Sequence, residues 1–339
     1  MKDRQRKVSV IMTIYNQEPY LREAIESILD QTYKNMELVI LDDGSTDKSI
    51  DIIREYADKD DRIVVFSREN RGRVKSLNEA LRLATGEYIA IMDGDDISHK
   101  ERIEKEVKYL ELHRDVYMVG TKIELLLEGE MSEEEARYTQ RYLAHVNGEF
   151  DRQNYFYEVD YYSFMHTAAI LVKRELFQYI GDFQDYKCED LEFFYRTIKA
   201  GFKVGRVDEI LFTYRVHGGS RSSEKSPLKQ DKTEFKLTYL EQQIDFGKEE
   251  FRYMIWGSDI SGQYGYKKVQ ERFPNGKMVA YIDSFQEGEV DSIPVILPEK
   301  IKEYGTDYVF ICTNGGGRYA KEYLDGIGMQ IMNEYFKIV

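Results

Sequence analysis

A chain of 339 residues with 42% hydrophobic content is long enough for two domains and carries ample core. Its formal charge of −14, from 48 basic and 62 acidic side chains, argues against non-specific binding to nucleic acid or anionic lipid. No apolar run approaches the roughly 18–20 residues of a membrane span, and the charged start Met1 to Lys7 leads into strand and turn signals, so a globular cytoplasmic protein is expected.

In chain order, Val8 to Ile14 reads as a buried strand and Glu18 to Gln31 as an amphipathic helix striped by Leu21, Ala24, Ile25 and Ile28. Met36 to Leu41 is a second strand, running into Asp42-Asp43-Gly44-Ser45-Thr46-Asp47, and a helix follows from Ser49 past Tyr56. Arg62 to Phe66 is a third strand, and helix Val74 to Ala84 leads through Thr85-Gly86 to the apolar run Tyr88 to Met92. Repeated βα units predict a parallel sheet with right-handed crossovers. From 97 to about 165 the pattern is mixed, with a helix at Lys100 to Leu112 and a charged, tyrosine-rich excursion from Glu128 to Tyr162 suited to a substrate-facing insertion. Strand Ala168 to Val172, helices Arg174 to Ile180 and Asp190 to Ala200, and strand-like Phe202 to Tyr214 follow. A polar segment over 218–232 precedes helix Glu234 to Asp245, and a second βα series starts near Phe251. Its elements are strand Arg252 to Trp256, helix Tyr264 to Phe273, strand Met278 to Ile282 and strand Tyr308 to Cys312. Cys188 and Cys312 lie far apart, with neither metal-ligand spacing nor a disulfide framework, and read as core thiols in a reducing compartment.

The chemistry concentrates where strands end. Asp93-Gly94-Asp95-Asp96 puts three carboxylates in four residues at the end of a buried strand. Such groups repel one another and need solvation or a cation, and the carboxyl ends of strands in open α/β sheets are where ligands bind. Oxygen ligands of this kind suit Mg²⁺ or Mn²⁺ bridging to phosphates, the alternative being an acidic turn. Asp42 and Asp43, at the end of another strand, belong on the same edge; they can accept hydrogen bonds from a nucleobase or ribose, or serve a capping turn in which Gly44 allows the bend and Ser45 caps the helix. The stretch Asn70-Arg71-Gly72-Arg73-Val74-Lys75 brings cations to the start of a helix, against its dipole, which a bound diphosphate would explain. Glu189 and Asp190 open a later helix, where they either complement the dipole or provide a general base. Tyr214-Arg215-Val216-His217 offers an imidazole to a metal or a cation to phosphate.

Val8 to Asn16, Asp42 to Asp47, Asn70 to Asn78, Gly86 to Asp96, Glu189-Asp190 and Tyr214 to His217 together resemble, in that order, the motifs of family 2 glycosyltransferases. The resemblance covers residues 7 to about 222. It implies an α/β GT-A nucleotide-diphospho-sugar transferase fold, mainly a parallel sheet flanked by helices, over residues 1–225, followed by a helical linker over 226–250. It also implies inverting, metal-dependent transfer from a nucleotide-sugar, usually a UDP-sugar, to a carbohydrate, lipid-linked or protein-linked glycan acceptor in surface-glycan biosynthesis. On this basis Thr13, Tyr15, Asn16, Asp42, Asp43, Arg71, Lys75, Asn78, Asp93 and Gly94 would contact the donor. Asp95 and His217 would hold Mn²⁺ or Mg²⁺, and Asp190 would be the catalytic base with Glu189 beside it. His99 departs from the proline many relatives carry there, and Glu128 to Tyr162 matches no motif.

Residues 251–339 resemble small Rossmann-like domains attached to polysaccharide-biosynthesis proteins. Their first turn, Gly257-Ser-Asp-Ile-Ser-Gly262, carries Asp259 where a dinucleotide fingerprint has its middle glycine, and a carboxylate there would oppose a pyrophosphate. Asp283 sits about where a ribose-binding acid falls, and Asn314 to Arg318 could form a phosphate loop, but a ligand-free structural or partner-docking role is the favoured reading. Two rivals to the transferase reading remain. A sugar-nucleotide nucleotidyltransferase would need a glycine-rich, basic loop after the first strand, which Thr13 to Glu18 lacks. A non-catalytic nucleotide-sugar sensor or scaffold would bind donor without transfer. Homo-oligomerisation and peripheral contact with the inner membrane face stay open.

Overall fold

The computed structural model describes residues 5–129, 133–148, 165–186, 188–218, 233–234, 236–238, 240–241, 250–313, 316–331 and 333–339. The chain divides into two compact units, Met1–Ser226 and Pro227–Val339.

The first unit is built on an eight-stranded sheet. β1 (Val8–Ile14), β2 (Met36–Asp42), β3 (Ile63–Ser67) and β4 (Tyr88–Asp93) lie parallel in the order β3-β2-β1-β4. Their connections are α1 (Leu21–Leu29), α2 (Ser49–Ala57) and α3 (Arg73–Leu83), so the βα alternation of the sequence is realised with boundaries moved by one to three residues. β1, β2 and β4 are buried almost throughout, which is why they read as continuous apolar runs rather than alternating ones. α1 buries Leu21, Ala24, Ile25 and Ile28, a single stripe worth roughly 1.5–3 kcal/mol per large side chain.

Beyond β4 the sheet continues with elements the sequence pattern shows poorly. A short β5 (Ile97–Ser98) and helix α4 (Arg102–Leu112) precede β6 (Val116–Leu127), a twelve-residue strand that the sequence reading missed because Lys122 and Glu124 break its apolar run. Helix α5 (Glu133–Asn147) occupies the excursion, whose later residues, 149–164, lie outside those described. A 3₁₀ turn (Thr167–Ala169) then leads into β7 (Ile170–Lys173), α6 (Glu175–Ile180), α7 (Glu189–Lys199) and β8 (Lys203–Val216). β7 is antiparallel to β4 and β6, while β6 and β8 are parallel, so the sheet is mixed at this side.

The second unit is a six-stranded, mainly parallel α/β sheet, order β11-β12-β10-β9-β13-β14. Its strands are β9 (Phe251–Trp256), β10 (Gly276–Ile282), β11 (Gly288–Val290), β12 (Ile293–Ile296), β13 (Tyr308–Ile311) and β14 (Tyr335–Lys337). Its helices are α8 (Ile260–Arg272), α9 (Ile301–Tyr304) and α10 (Gly317–Gly326). Residues 226–250 had been expected as a linker. The described residues of that segment are helical apart from Glu250, Leu237 and Leu240 are buried in this unit's core, and the unit begins at Pro227. Burying two leucines offsets the ordering of a helix that a free linker would leave in solvent.

Two buried ionisable systems hold the first unit. Glu37, on β2, accepts from Ser9 Oγ on β1 (2.6 Å), from the backbone N–H and hydroxyl of Thr85 before β4 (2.7 and 2.9 Å) and from Lys7 Nζ (2.6 Å). Burial works against its charge, but these donors outweigh it and hold the carboxyl at about 2. On α4, Arg102 and Glu106 are both fully buried and 3.9 Å apart, too far for a hydrogen bond; Arg102 donates instead to Ala168 O (2.7 Å) and lies over the Phe212 ring. Burial pushes Glu106 up to about 8 despite Arg102. The folded chain thus keeps a proton that the unfolded chain loses near the ordinary glutamate value, and stability falls as pH rises between the two. Glu106→Gln should leave the thermal midpoint nearly unchanged at pH 4.5 and raise it relative to the parent at pH 8.5, measured by calorimetry. For Glu37 the sign is opposite: Glu37→Gln should lower the midpoint at pH 7, with the difference shrinking as pH falls from about 4.5 towards 2.

Candidate active site

The strand register assembles the site. Thr13 on β1 pairs with Asp93 on β4, and Ile14 pairs with Asp42 on β2, so the ends of three parallel strands bring their acids to one edge. Carboxylate oxygens of Asp93, Asp95 and Asp96 lie within 4.8 Å of one another. Gly94 is buried between them, and a Cβ there would meet Ile14 Cδ1 at 2.3 Å, so the close packing of β1 against this turn favours glycine.

The cluster is met by arginine and histidine side chains from distant parts of the chain. Arg73, the first residue of α3, donates from Nη2 to Asp93 Oδ1 and from Nε to Glu189 Oε1, both at 2.8 Å. His217, after β8, places Nε2 3.0 Å from Asp95 Oδ2 and stacks against Tyr20. His166 approaches Asp96 Oδ2 at 3.4 Å and contacts the Tyr142 hydroxyl on α5 at 2.8 Å. The Arg215 backbone N–H donates to Asp96 Oδ1 (2.9 Å) and its Nε to Asp95 O (2.7 Å), while its guanidinium pairs with Glu23 and Glu128 and lies over the Tyr20 ring. Burial raises the Asp96 carboxyl to about 6 against the pull of His166, and burial together with Asp93 raises Asp95 against the pull of His217. Carboxylates crowded this way accommodate a hard cation. The three carboxylates fit a divalent ion of the Mn²⁺ or Mg²⁺ kind, and His217 stands beside them against Asp95.

The second acidic loop is internally wired. Asp43 accepts from the backbone N–H groups of Arg71 (2.8 Å) and Gly72 (2.9 Å) and pairs with Arg68, which also holds Glu79 at 2.5 Å. Asp42 is 2% exposed and accepts from Ser67 Oγ (2.7 Å) and Ser45 N (3.1 Å). These bonds shape the turn, as those of its neighbour Asp43 also do. Asn78 exchanges two hydrogen bonds between its amide and the backbone of Phe183 (2.8 and 2.9 Å). Asn16, in the left-handed region at φ 54°, accepts from Thr46 N at 2.8 Å and pins the two loops together. Tyr15, Arg71 and Lys75 are exposed on this edge or at the start of α3.

On the other side, α7 begins with Glu189, buried against Arg73, and Asp190, whose Oδ1 accepts from Leu191 N at 2.8 Å and whose Oδ2 faces Thr167 Oγ1 at 3.3 Å. The sequence pattern left Arg68 and His166 unmarked, and it offered Arg73 and Arg215 as cations for phosphate, whereas here Arg73 pairs with Asp93 and Glu189 and Arg215 with Glu23, Glu128 and Asp95 O. A cation in the first position of α3, opposed by the helix dipole, was the available signal for Arg73.

The sequence profile of Glycosyl transferase family 2 matches residues 9–181, half of the chain. An uncharacterised glycosyltransferase of Methanocaldococcus jannaschii is 33% identical over 234 residues, 66% of this chain and 75% of that protein. The chain belongs to glycosyl transferase family 2. Two solved structures share its fold. One is the mannosyltransferase PcManGT from Pyrobaculum calidifontis in complex with GDP-Man and Mn²⁺ (TM-score 0.53, 22% identity, 73% of this chain and 66% of that one). The other is TarS 1-349 of S. aureus in complex with UDP-GlcNAc (TM-score 0.54, 18% identity, 79% and 72%). The fold of the family 2 unit is thus GT-A, as the motif order implied. Among the described residues no helix is long and apolar enough to cross a membrane.

The Arg215 side chain is 4% exposed, while its partners Glu23 and Glu128 are 58% and 37% exposed and stay solvated without it, so its loss removes the bond to Asp95 O and the packing over Tyr20. Arg215→Met should reduce unfolding free energy by about 1 kcal/mol in urea titration.

Proposed function

We propose that this family 2 member is an inverting, metal-dependent glycosyltransferase that moves a sugar from a nucleotide-sugar, a UDP-sugar, to a hydroxyl of a carbohydrate, lipid-linked or protein-linked acceptor in surface-glycan assembly. The observation that supports it most is the carboxylate cluster of Asp93, Asp95 and Asp96 beside His217, joined through Arg73 to the start of the helix that carries Asp190. Asp95 and His217, with Asp93, are the residues suited to hold Mn²⁺ or Mg²⁺, which when bound neutralises charge growing on the leaving diphosphate. The PcManGT complex with GDP-Man and Mn²⁺ is consistent with such an ion, and the TarS complex with UDP-GlcNAc with a uridine donor.

The chain's own residues supply the rest. Asp93, at the strand end, accepts from the ribose, and Thr13, Tyr15, Asn16 and the loop ordered by Asp43 form the wall for the nucleoside. Arg71 and Lys75 are exposed cations that meet the diphosphate. Asp190 takes the acceptor's hydroxyl proton as the acceptor oxygen bonds to the anomeric carbon; the bond from that carbon to the diphosphate breaks, and the nucleoside diphosphate leaves with the electron pair. Attack opposite the leaving group inverts the anomeric centre. The second unit is proposed as a separate Rossmann-like domain. Asp259 caps α8 by accepting from Gly262 N (3.1 Å), so that helix start is already met by a carboxylate and is a poor diphosphate site. Asp283 accepts from Ser258 Oγ at 2.5 Å, and Asn314 and Gly315 of the expected phosphate loop lie outside the described residues.

With purified protein and a panel of UDP- and GDP-sugars, nucleotide release should depend on Mn²⁺ and stop with a chelator. Asp95→Asn and Asp190→Asn should each lower turnover by about 100-fold or more, Asp190→Asn with donor binding retained. The reading fails if no sugar nucleotide is bound or cleaved, or if Asp95→Asn turns over like the parent.

A further inference from the structure

Arg73 stands apart from the other cations of its segment. Arg71 and Lys75 are exposed, and Arg68 is committed to Asp43 and Glu79. Arg73 instead divides its guanidinium between two acids that are remote in sequence. Nη2 reaches Asp93 at the end of β4 and Nε reaches Glu189 at the start of α7, both at 2.8 Å. A planar fork with fixed donors sets the separation of two carboxylates in a way that a single ammonium cannot.

The energetics make this a committed contact. As the first residue of α3, Arg73 meets the positive end of the helix dipole. Burial also disfavours its charge, yet Asp93 and Glu189 outweigh burial and hold the guanidinium more firmly protonated than usual. The Glu189 side chain is 5% exposed, so without Arg73 it would be a buried charge lacking this partner. With its donors directed at two protein carboxylates, Arg73 is poorly placed to be a diphosphate anchor.

We infer that Arg73 is a positioning residue that ties the donor-side acid Asp93 to Glu189 and so fixes the start of α7, and with it the adjacent Asp190, relative to the nucleotide-sugar. This inference rests on the proposed glycosyl transfer. Asp190 follows Glu189 directly in the first turn of α7, so a shift in the Glu189 anchor moves the base. Displacement of a reacting group by about 1 Å can cost on the order of 100-fold in rate.

A double-mutant cycle tests it on the full chain, using Arg73→Met, Glu189→Gln and the pair, with Arg73→Lys as the milder variant. With UDP-sugar, Mn²⁺ and acceptor, Arg73→Met should lower kcat for transfer by about 10- to 100-fold, with donor KM changed by less than about threefold. Arg73→Lys should recover part of kcat. The double variant should be no slower than the slower single, because both act through one anchor. Multiplying fold-losses in the double variant, or a large rise in donor KM with kcat intact, overturns the inference. The bridge itself is read without turnover from urea midpoints: the double variant should unfold at or above the midpoint of Arg73→Met, since it also removes the buried charge that Arg73 meets, and additive losses overturn the inference. A parent chain that turns over no sugar nucleotide sinks the proposed function, while the unfolding cycle still decides whether Arg73 and Glu189 act together.

Discussion

The first unit is organised around the repulsion of three carboxylates gathered at one strand end. Asp93, Asp95 and Asp96 lie so close that burial and mutual charge push Asp95 and Asp96 towards protonation. What opposes this comes from separate places: Arg73 from α3, His166 from before the 3₁₀ turn, and Arg215 and His217 from the end of β8 and just after it. Each of these partners is itself anchored. Arg215 reaches Glu23 on α1 and Glu128 after β6, His166 reaches Tyr142 on α5, and Arg73 reaches Glu189 on α7. Neutralising one acidic turn therefore fixes the relative placement of most elements around the sheet edge.

A second consequence is that residues with the chemistry of ligands divide into two kinds. Asp42 and Asn78 spend hydrogen bonds on their own turns, and Gly94 sits where the packing of Ile14 leaves little room for a side chain. Asp43 builds the 68–72 loop by accepting from consecutive backbone N–H groups, which leaves Arg71 exposed beside it. Wiring of this kind lets a loop hold its shape before any ligand arrives, which lowers the ordering cost of binding.

Much of the first unit is legible from its pattern. The strands up to Asp93 are short apolar runs ended by turn chemistry, and α1 and α3 show their stripes, so local propensity and global fold agree. β6 is the counterexample: its buried positions are interrupted by Lys122 and Glu124, and it is stabilised by long pairing with β8 that no local window contains. Leu237 and Leu240 show the same effect in the second unit, where a segment resembling a linker supplies core.

The order of motifs in the sequence determined the family, the fold class and the edge of the sheet at which the acids gather, because strands that end in acids and glycines are read locally. The tertiary structure alone decided which charges meet. Arg73 and Glu189 are 116 residues apart, Arg215 and Glu23 are 192 apart, and only the register of β1, β2 and β4 and the path of β8 bring such groups within hydrogen-bond reach. Periodicity reports which face of an element is apolar; it carries no information about the partner of a charge across such a separation.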